Sequence, residues 1–593
     1  MLYQVPFAIP VASAAGLVEY ASSAPRRFQN YPLPPEALLA NGEPDYLKLI
    51  QEAAKVLEQI RPLPLTPLFY APVLSEAFKC KIFLKREDLQ QVFSFKIRGA
   101  YNCMYNLTEE QRKNGVVTAS AGNHAQGVAY SSNHLKIYAK IYMPVNTPEI
   151  KISSVKRLGG AYVEIVLVGN DFDEAKKAAE EDAQQNNKKF VPPFDDDYVI
   201  AGQGTVALEI TDQVKKAKED GIITQDYANA IFAPVGGGGL ISGITAYSKL
   251  TQSPTKPYAS GGLGSRSMYE SLKAGEVIEV PTVDLFPDGT AVRRVGDLTF
   301  AICKKYLTLA DIYNDITTDN ICAAIQDIFD ETRSIAEPSG TLGLAALKQH
   351  LAKNPPSPEQ VFVAVISGAN MDFEMLRFVS ERAALGAQRE AFLSVQFSNP
   401  LTTFPEIIKL VQTRPNGNVR NITELVFRHN SPGDGHAIFS FIVDPTPEVS
   451  QSAQEDQTQE VIKQLQASNF VGRGLNTSLL ALDHVRYMIG GRAAVNRERL
   501  VSFTFPERPG SLQKFLKLLN DVNAPLESGS ELSLSLFHYR FHGGDLVHVL
   551  VGVQVPEESD PVFDEFLVYL AENGYASVKV TYDQVYKDFL EKQ

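Results

Sequence analysis

Lys96 lies in the run Val92-Phe-Ser-Phe-Lys-Ile-Arg-Gly-Ala-Tyr101, between Phe95 and Ile97 and just ahead of an amphipathic stretch. Apolar surroundings strip water from an ammonium group and lower its pKa, so such a lysine presents a neutral amine readily. A neutral amine forms Schiff bases with carbonyl compounds. The plainer alternative is a solvated lysine near a helix start. A second segment, Thr118-Ala-Ser-Ala-Gly-Asn-His-Ala-Gln-Gly127, follows a β-rich run and precedes a helical pattern. N–H groups at such a helix start bind anions. Ser120, Asn123 and the neighbouring N–H groups are therefore candidates to hold a substrate carboxylate. His124, taken alone, is more often a structural hydrogen-bonder than a catalyst.

Pro234-Val-Gly-Gly-Gly-Gly-Leu240 places four glycines between a strand-like run and a helix-like one. Glycine lets the backbone wrap a phosphate closely, with the helix dipole behind it. No Lys-Ser/Thr follows, so this is not a Walker loop, and it is not GxGxxG. A flexible turn is the alternative, but four glycines after Ala-Pro-Val favour a phosphate site. Ser367 in Ile366-Ser-Gly-Ala-Asn370 and Glu337 in Ala336-Glu-Pro-Ser-Gly340 are single polar residues in apolar contexts. Either reads equally as a helix cap.

The elements that must position these residues are legible in outline. From about residue 45 to 385, short β-rich runs alternate with helical patterns: Lys81–Leu84, Val116–Ala119, Ile137–Met143, Ala230–Val235 and Val361–Ile366. Strands alternating with helices predict parallel sheet covered on both faces, here long enough for two lobes. After about residue 388 the plan changes. Leu393, Val395 and Phe397 alternate with polar residues, and Phe404, Ile407, Ile408 and Val411 share one helix face. Ala437–Val443 is a further strand. The plan then repeats, with Val501, Phe503 and Phe505 alternating, a stripe at Leu512, Phe515, Leu516 and Leu519, paired strands Leu534–Phe541 and Val547–Val555 around Gly543-Gly544, and a stripe at Phe563, Phe566, Leu567 and Leu570. The order β-α-β-β-α-β is the ferredoxin-like plan. The two copies also share a local pattern, residues 421–429 against 534–542, so the repeat is weak but real. Pro445–Gln459, rich in Ser, Gln and Glu, reads as a solvated excursion.

Length and charge agree with this division. A chain of 593 residues predicts three or four domain-sized units. Its 44% hydrophobic and 21% charged residues exclude a largely disordered or collagen-like chain. No stretch approaches the ~20 apolar residues of a membrane helix. The net charge of −13 disfavours nucleic acid as a partner. Cys80, Cys103, Cys303 and Cys322 show neither CxxC pairing nor metal-ligand spacing, and read as reduced core thiols. No metal site is expected. Residues 1–25 hold one charged residue, Glu19, before Arg26 and Arg27. This amino end reads equally as part of an organelle-targeting segment or as an extension.

Taken together, the motifs resemble the threonine dehydratases, a family of fold-type-II pyridoxal-phosphate enzymes, over about residues 45–593. The matching segments are Leu84-Lys-Arg-Glu-Asp88, Ser94-Phe-Lys-Ile-Arg-Gly-Ala100, Ser120–Gly127, Pro192-Pro-Phe-Asp195, Ala201-Gly-Gln-Gly-Thr205, Gly236–Leu240, Glu337-Pro-Ser-Gly340 and Ser367-Gly-Ala-Asn370. The resemblance implies an α/β fold. A two-lobed, tryptophan-synthase-β-like catalytic domain (45–385) is followed by two ferredoxin-like, ACT-type α+β regulatory domains (389–485 and 498–593), behind an extension of residues 1–44. It implies pyridoxal 5'-phosphate as cofactor, attached through Lys96, which later acts as base at the substrate α-carbon. Phe95 would stack beside the pyridine ring. Gly236, Gly237, Gly238 and Gly239 would cradle the phosphate, and Asn123 would bond the ring hydroxyl. Ser120 would hold the substrate carboxylate. Ser367 would face the ring nitrogen and keep it less protonated than an aspartate would, which favours β-elimination over transamination. Glu337 would lie near the ring or the substrate. The implied reaction is dehydration of L-threonine to 2-oxobutanoate and ammonia, the first step of isoleucine biosynthesis. Serine would be a further substrate. The resemblance also implies control by isoleucine, or in some members valine, a homotetramer, and a mitochondrial or plastid location, with a cytoplasmic one as the alternative.

Two departures from the family pattern stand out. Thr255–Ser267 carries glycines and polar residues where the family has an intact strand, and predicts a poor buried strand. Phe397-Ser-Asn-Pro-Leu-Thr-Thr-Phe404 stands where the second repeat has Phe505-Pro-Glu-Arg-Pro-Gly-Ser-Leu512, so the second repeat is expected to bind ligand better. The competing readings are a serine-acting type-II enzyme and an amino-acid-binding regulatory protein with weakened catalysis.

Overall fold

The computed structural model describes residues 33–60, 65–398, 400–414, 417, 419–428, 435–443, 453–476, 478, 495–506, 510–521, 532–540 and 546–582. The targeting reading of residues 1–27 and the Gly543-Gly544 turn lie outside the described residues, as does most of the run Pro506–Pro509. Residues 1–45 form one unit, whose described part holds a single helical turn, Pro35–Ala37, and an antiparallel bridge between Leu38 and Pro44.

Among the described residues of the unit 46–593, ten strands build two sheets. They are β1 Leu68–Tyr70, β2 Lys81–Arg86, β3 Val116–Ala119, β4 Ala139–Met143, β5 Val163–Leu167, β6 Lys189–Phe190, β7 Ala230–Pro234, β8 Lys256–Gly262, β9 Ile312–Ile316 and β10 Val361–Ile366. The order β5-β4-β3-β6 makes a smaller sheet, parallel throughout. The order β1-β2-β10-β7-β8-β9 makes a larger one, parallel except for β1. Every residue of β3, β7 and β10 is buried, as expected for central parallel strands covered on both faces. This is the two-lobed, fold-type-II architecture.

The expectation of a poor strand at Thr255–Ser267 is overturned. β8 lies between β7 and β9 with a regular register from Ala230↔Lys256 to Pro234↔Ser260. Tyr258 stacks on Phe232 at 4.8 Å between ring centroids, and Ala259 is fully buried. Packing and the flanking ladders outweigh local propensity. The glycines collect at the end of the strand, where the register with β9 slips between Ser260 and Gly262. Cys80, Cys103, Cys303 and Cys322 are all buried and free. No helix among the described residues is long and apolar enough to cross a membrane.

Among the described residues, eight further strands form one antiparallel sheet: β11 Glu390–Phe397, β12 Ile422–Arg428, β13 Gly435–Ile442, β14 Val471–Gly474, β15 Glu498–Pro506, β16 Ser533–Arg540, β17 Leu546–Gln554 and β18 Ala576–Lys579. Its order, β14-β11-β13-β12-β16-β17-β15-β18, is two ferredoxin-like units laid side by side. The second strand of each unit pairs with that of the other, from Glu424↔Arg540 to Arg428↔Leu536. The residues of all three predicted helix stripes share one core, including Phe404, Ile408, Phe515 and Phe566, with strand residues such as Phe439. A buried ion pair crosses between the units. Arg428 on β12 donates to Glu498 on β15 at 2.5 and 3.3 Å, and both side chains are almost fully buried.

The solvated excursion expected at Pro445–Gln459 is corrected in its second half. Residues 444–452 lie outside the described residues, but Ala453–Ala467 is a helix. Its stripe of Thr458, Val461, Ile462 and Leu465 is buried, which commits the polar first turn to the helix as well.

Candidate active site

Three strand ends bring the predicted residues together, as parallel sheets do at their carboxyl edges. β3 ends at Ala119, and Ser120 leads through Gly122 into the helix Asn123–Leu135. β7 ends at Pro234, and the glycine run leads into the helix Gly239–Leu250. β10 ends at Ile366, followed by Ser367 and Gly368.

The segment before Lys96 is clamped onto the end of β10. Phe95 N donates to Ser367 O at 3.1 Å, Ala369 N donates to Phe93 O at 2.8 Å, and Ser94 bridges Gly368. Phe93 adopts φ +55°, a left-handed conformation that a phenylalanine takes only where its surroundings impose it. The clamp sets Lys96 at the first position of the helix Lys96–Tyr105. A Cβ on Gly127 would stand 3.2 Å from the Lys96 carbonyl carbon, so the bare glycine lets the neighbouring helix approach.

The Lys96 Nζ donates to the Pro193 carbonyl at 2.9 Å and sits 5.3 Å from the centroid of the Phe95 ring. Burial lowers its pKa to about 8, against the opposing pull of Glu337. Burial raises the Glu337 carboxyl to about 7, with the Asp288 charge adding to it. Its oxygens accept from Asn123 Nδ2 at 2.6 Å and from Asn370 N at 2.8 Å. Asn370 Nδ2 donates to Asn123 Oδ1 at 2.6 Å and to Val92 O at 2.8 Å. The Asn123 amide is thus engaged at both ends. His124 Nε2 donates to Val191 O at 3.0 Å. Burial, with help from Lys96, lowers its pKa to about 3, so it stays neutral. Ser120 Oγ accepts from Gly122 N at 3.3 Å, and Ser367 N donates to Gly340 O at 3.2 Å.

Whether these residues suit a phosphate-bearing cofactor is tested by the glycine run. A Cβ would meet Thr290 Cα at 3.0 Å from Gly236, the Phe194 ring at 2.2 Å from Gly237, Thr299 Oγ1 at 2.7 Å from Gly238 and Phe194 Cβ at 3.0 Å from Gly239. Gly238 also has φ +102°. The walls that enforce bare backbone are built deliberately. Thr299 Oγ1 donates to Gly237 O at 2.7 Å, and the Asp195 carboxylate accepts from Asp297 N and Leu298 N at 3.0 and 2.9 Å. The helix that follows adds N–H groups with no intrahelical partner. A bare-backbone cradle at a helix start, beside a lysine of lowered pKa, fits pyridoxal phosphate. Gly237→Ala should force Phe194 aside and weaken cofactor retention by more than about tenfold, read by equilibrium dialysis of the cofactor. Retention equal to the unmodified protein would show that the cradle lies elsewhere.

Sequence reasoning missed Asn370, Pro193 and Phe194 as site residues, although each falls in a quoted motif. Asn370 was findable as the polar residue closing a buried strand. The Pro193 contribution is a backbone carbonyl, which no side-chain pattern encodes. Among the described residues, no group of three or more His, Cys, Asp or Glu is placed to hold a metal ion.

Comparison with known proteins adds independent findings. Residues 62–368 match the pyridoxal-phosphate dependent enzyme family, and residues 490–590 match the C-terminal regulatory domain of threonine dehydratase. The chain is 40% identical over 560 residues to the mitochondrial threonine dehydratase of Saccharomyces cerevisiae, covering 94% of this chain and 91% of that one. It is 39% identical over 526 residues to the biosynthetic L-threonine dehydratase of Escherichia coli, covering 88% and 94%. Among solved structures it is similar to the processed form of threonine deaminase isoform 2 from Solanum lycopersicum. That match has a TM-score of 0.52 and 41% identity, and covers 57% of this chain and 89% of that one.

Proposed function

The chain belongs to the threonine dehydratases, and from that premise we propose how its residues divide the work. It is a pyridoxal-phosphate-dependent ammonia-lyase that converts L-threonine to 2-oxobutanoate and ammonia. Bound pyridoxal phosphate supplies an electron sink that makes the proton on the substrate α-carbon removable. Lys96 holds the cofactor and takes that proton, and its lowered pKa provides the neutral amine both tasks need. Gly236, Gly237, Gly238 and Gly239 hold the phosphate against the helix start. Ser120 and its neighbouring N–H groups orient the substrate carboxylate. Phe95 flanks the ring and Ser367 faces its nitrogen. Glu337, poised near neutrality, keeps the Asn123 and Asn370 amides in register at the ring. The observation that carries this reading is the clamping of Lys96 to Ser367 by the 93–95 and 367–369 segments, which joins the lysine to the end of β10.

Residues 45–385 serve as the catalytic domain, and residues 389–485 and 498–593 as two regulatory domains that sense isoleucine. A homotetramer is the proposed assembly, and the mitochondrion the proposed compartment, supported by the names of the yeast relatives. Purified holoenzyme should release 2-oxobutanoate from threonine faster than pyruvate from serine, and added isoleucine should slow it. Absence of both ketoacids would overturn the site assignment. Undiminished turnover in saturating isoleucine would overturn the regulatory one.

A further inference from the structure

The helix Asp297–Tyr306 adjoins the phosphate cradle at its first turn. Thr299 Oγ1 donates to Gly237 O at 2.7 Å, and Gly296 N, just ahead of the helix, donates to the same carbonyl at 3.2 Å. The placing of Gly237 therefore follows the start of this helix. Yet the helix has no cap of its own. Its N-cap residue is Gly296, which has no side chain to accept from the first N–H groups. The acceptor comes from a distant part of the chain. Asp195 Oδ2 accepts from Asp297 N at 3.0 Å, and Oδ1 accepts from Leu298 N at 2.9 Å. A negative charge at that end also suits the helix dipole. A Cβ on Gly296 would lie 2.2 Å from Asp195 Oδ1, so the helix cannot hold this cap together with one of its own.

Asp195 belongs to a strap that leaves β6 and crosses the site. At its start the Val191 carbonyl accepts from Thr118 Oγ1 at 2.8 Å and from His124 Nε2 at 3.0 Å. Pro192 and Pro193 follow, with φ fixed by their rings, so the strap is stiff. Pro193 O accepts from the Lys96 Nζ at 2.9 Å. Phe194 packs against the cradle at Gly237 and Gly239. Asp196 ends the strap by capping the helix Asp197–Glu219, accepting from Tyr198 N and Val199 N at 3.0 and 3.2 Å. Consecutive residues thus touch the reactive amine and the cradle, and the next one grips the helix that places Gly237.

The structure assigns Asp195 a positioning role. By capping a helix that cannot cap itself, it locks the strap to the cradle and so fixes the Lys96 amine relative to the phosphate site. This inference rests on Lys96 and the glycine run being the cofactor site. Without the carboxylate, Pro193 and its hold on the amine move independently of Gly237. A reacting group misplaced by about 1 Å loses up to about 10²-fold in rate.

The test is the rate at which the full-length chain, stripped of cofactor and given saturating pyridoxal phosphate, forms the borohydride-fixable bond at Lys96. Saturation removes the effect of a weakened cradle. Asp195→Ala should slow this step by about 10- to 100-fold. Asp195→Asn, which keeps one acceptor oxygen at the helix start, should retain more of the rate. Losing a helix cap also lowers stability, so urea unfolding is followed alongside. Gly296→Asp in the Asp195→Ala background separates the two effects. Its side chain enters the space that the carboxylate vacated, and φ −72°, ψ 152° at that position suit an aspartate cap. This double variant should regain the urea midpoint and stay slow in capture, because the helix is capped again while the strap is still loose. Recovery of both would make Asp195 a stability cap and overturn the proposal. Capture by Asp195→Ala at the unmodified rate would overturn it too. An unmodified chain that fixes no cofactor at Lys96 would overturn the site reading itself, and this inference with it.

Discussion

Lys96→Ala should lower 2-oxobutanoate formation by at least about 10³-fold, because one side chain carries both the cofactor attachment and the proton transfer. Borohydride should fix cofactor to the unmodified chain and not to the variant. The variant should still retain cofactor noncovalently, since the cradle of Gly236 to Gly239 is untouched. A second signature follows from the lowered pKa. In cofactor-free protein the reactive form is the neutral amine, which is the minor form below its pKa. With that pKa at about 8, the rate of covalent cofactor capture should rise about tenfold per pH unit below 8 and level off above it. A rate still climbing at pH 10 would mean that Lys96 titrates like a solvated lysine. Residual activity above a tenth of normal in Lys96→Ala would remove the lysine from the chemistry.

Arg98→Met should destabilise the chain by about 3–5 kcal/mol, the usual consequence of stripping one partner from a buried charge network. Arg98 is 1% exposed and donates to both oxygens of Glu87, at 2.7 and 2.8 Å, and of Glu209, at 2.6 and 2.8 Å. Lys85 completes the group, donating to Glu209 at 2.5 Å and to the Thr66 carbonyl at 2.8 Å. Two cations and two carboxylates are thus mutually satisfied, and removing one cation leaves excess buried negative charge. The helix Lys96–Tyr105 is seated on the helix Asp197–Glu219 through this network. A Cβ on Gly202 would reach the Arg98 carbonyl oxygen at 2.6 Å, so the seating is close. Burial by itself would raise the Glu87 carboxyl, but the Arg98 charge outweighs it and holds the group at about 2. A carboxyl depressed in the folded state contributes stability above its unfolded value of 4.5, and that contribution drains away as pH falls toward 2. The gap between Arg98→Met and the unmodified protein should therefore be full at pH 7 and narrow below pH 4.5, as urea unfolding at several pH values would register. A gap independent of pH would assign the loss to packing.

Much of the site was legible because its residues carry their own context. Lys96 announces itself through Phe95 and Ile97, and the phosphate cradle through four adjacent glycines. The strands that support them are short apolar runs, which is how centrally buried parallel strands read. β8 was illegible because its composition argues against a strand, while its burial comes from β7, β9 and the stacked Phe232 and Tyr258 rings. The helix Ala453–Ala467 hides for a related reason. Its polar first turn looks like loop until the buried stripe four residues later is given an apolar surface to meet. The Arg98 network was beyond reach in another way. Arg98 and Glu209 are 111 residues apart, and nothing local marks either as the partner of the other.

The pairing of β12 with β16 bears on how the duplicated region arose and persists. In each repeat that strand is the outermost on one side, so a lone copy would present an unpaired backbone edge bearing Leu425 and Phe427 or Phe537 and Tyr539. Such an edge invites pairing with any other chain. Each repeat caps the exposed flank of its twin, and the flanks left over, β14 and β18, are only four residues long and carry Arg473 and Lys579. A deletion that removed one repeat would therefore produce aggregation rather than a simpler regulator.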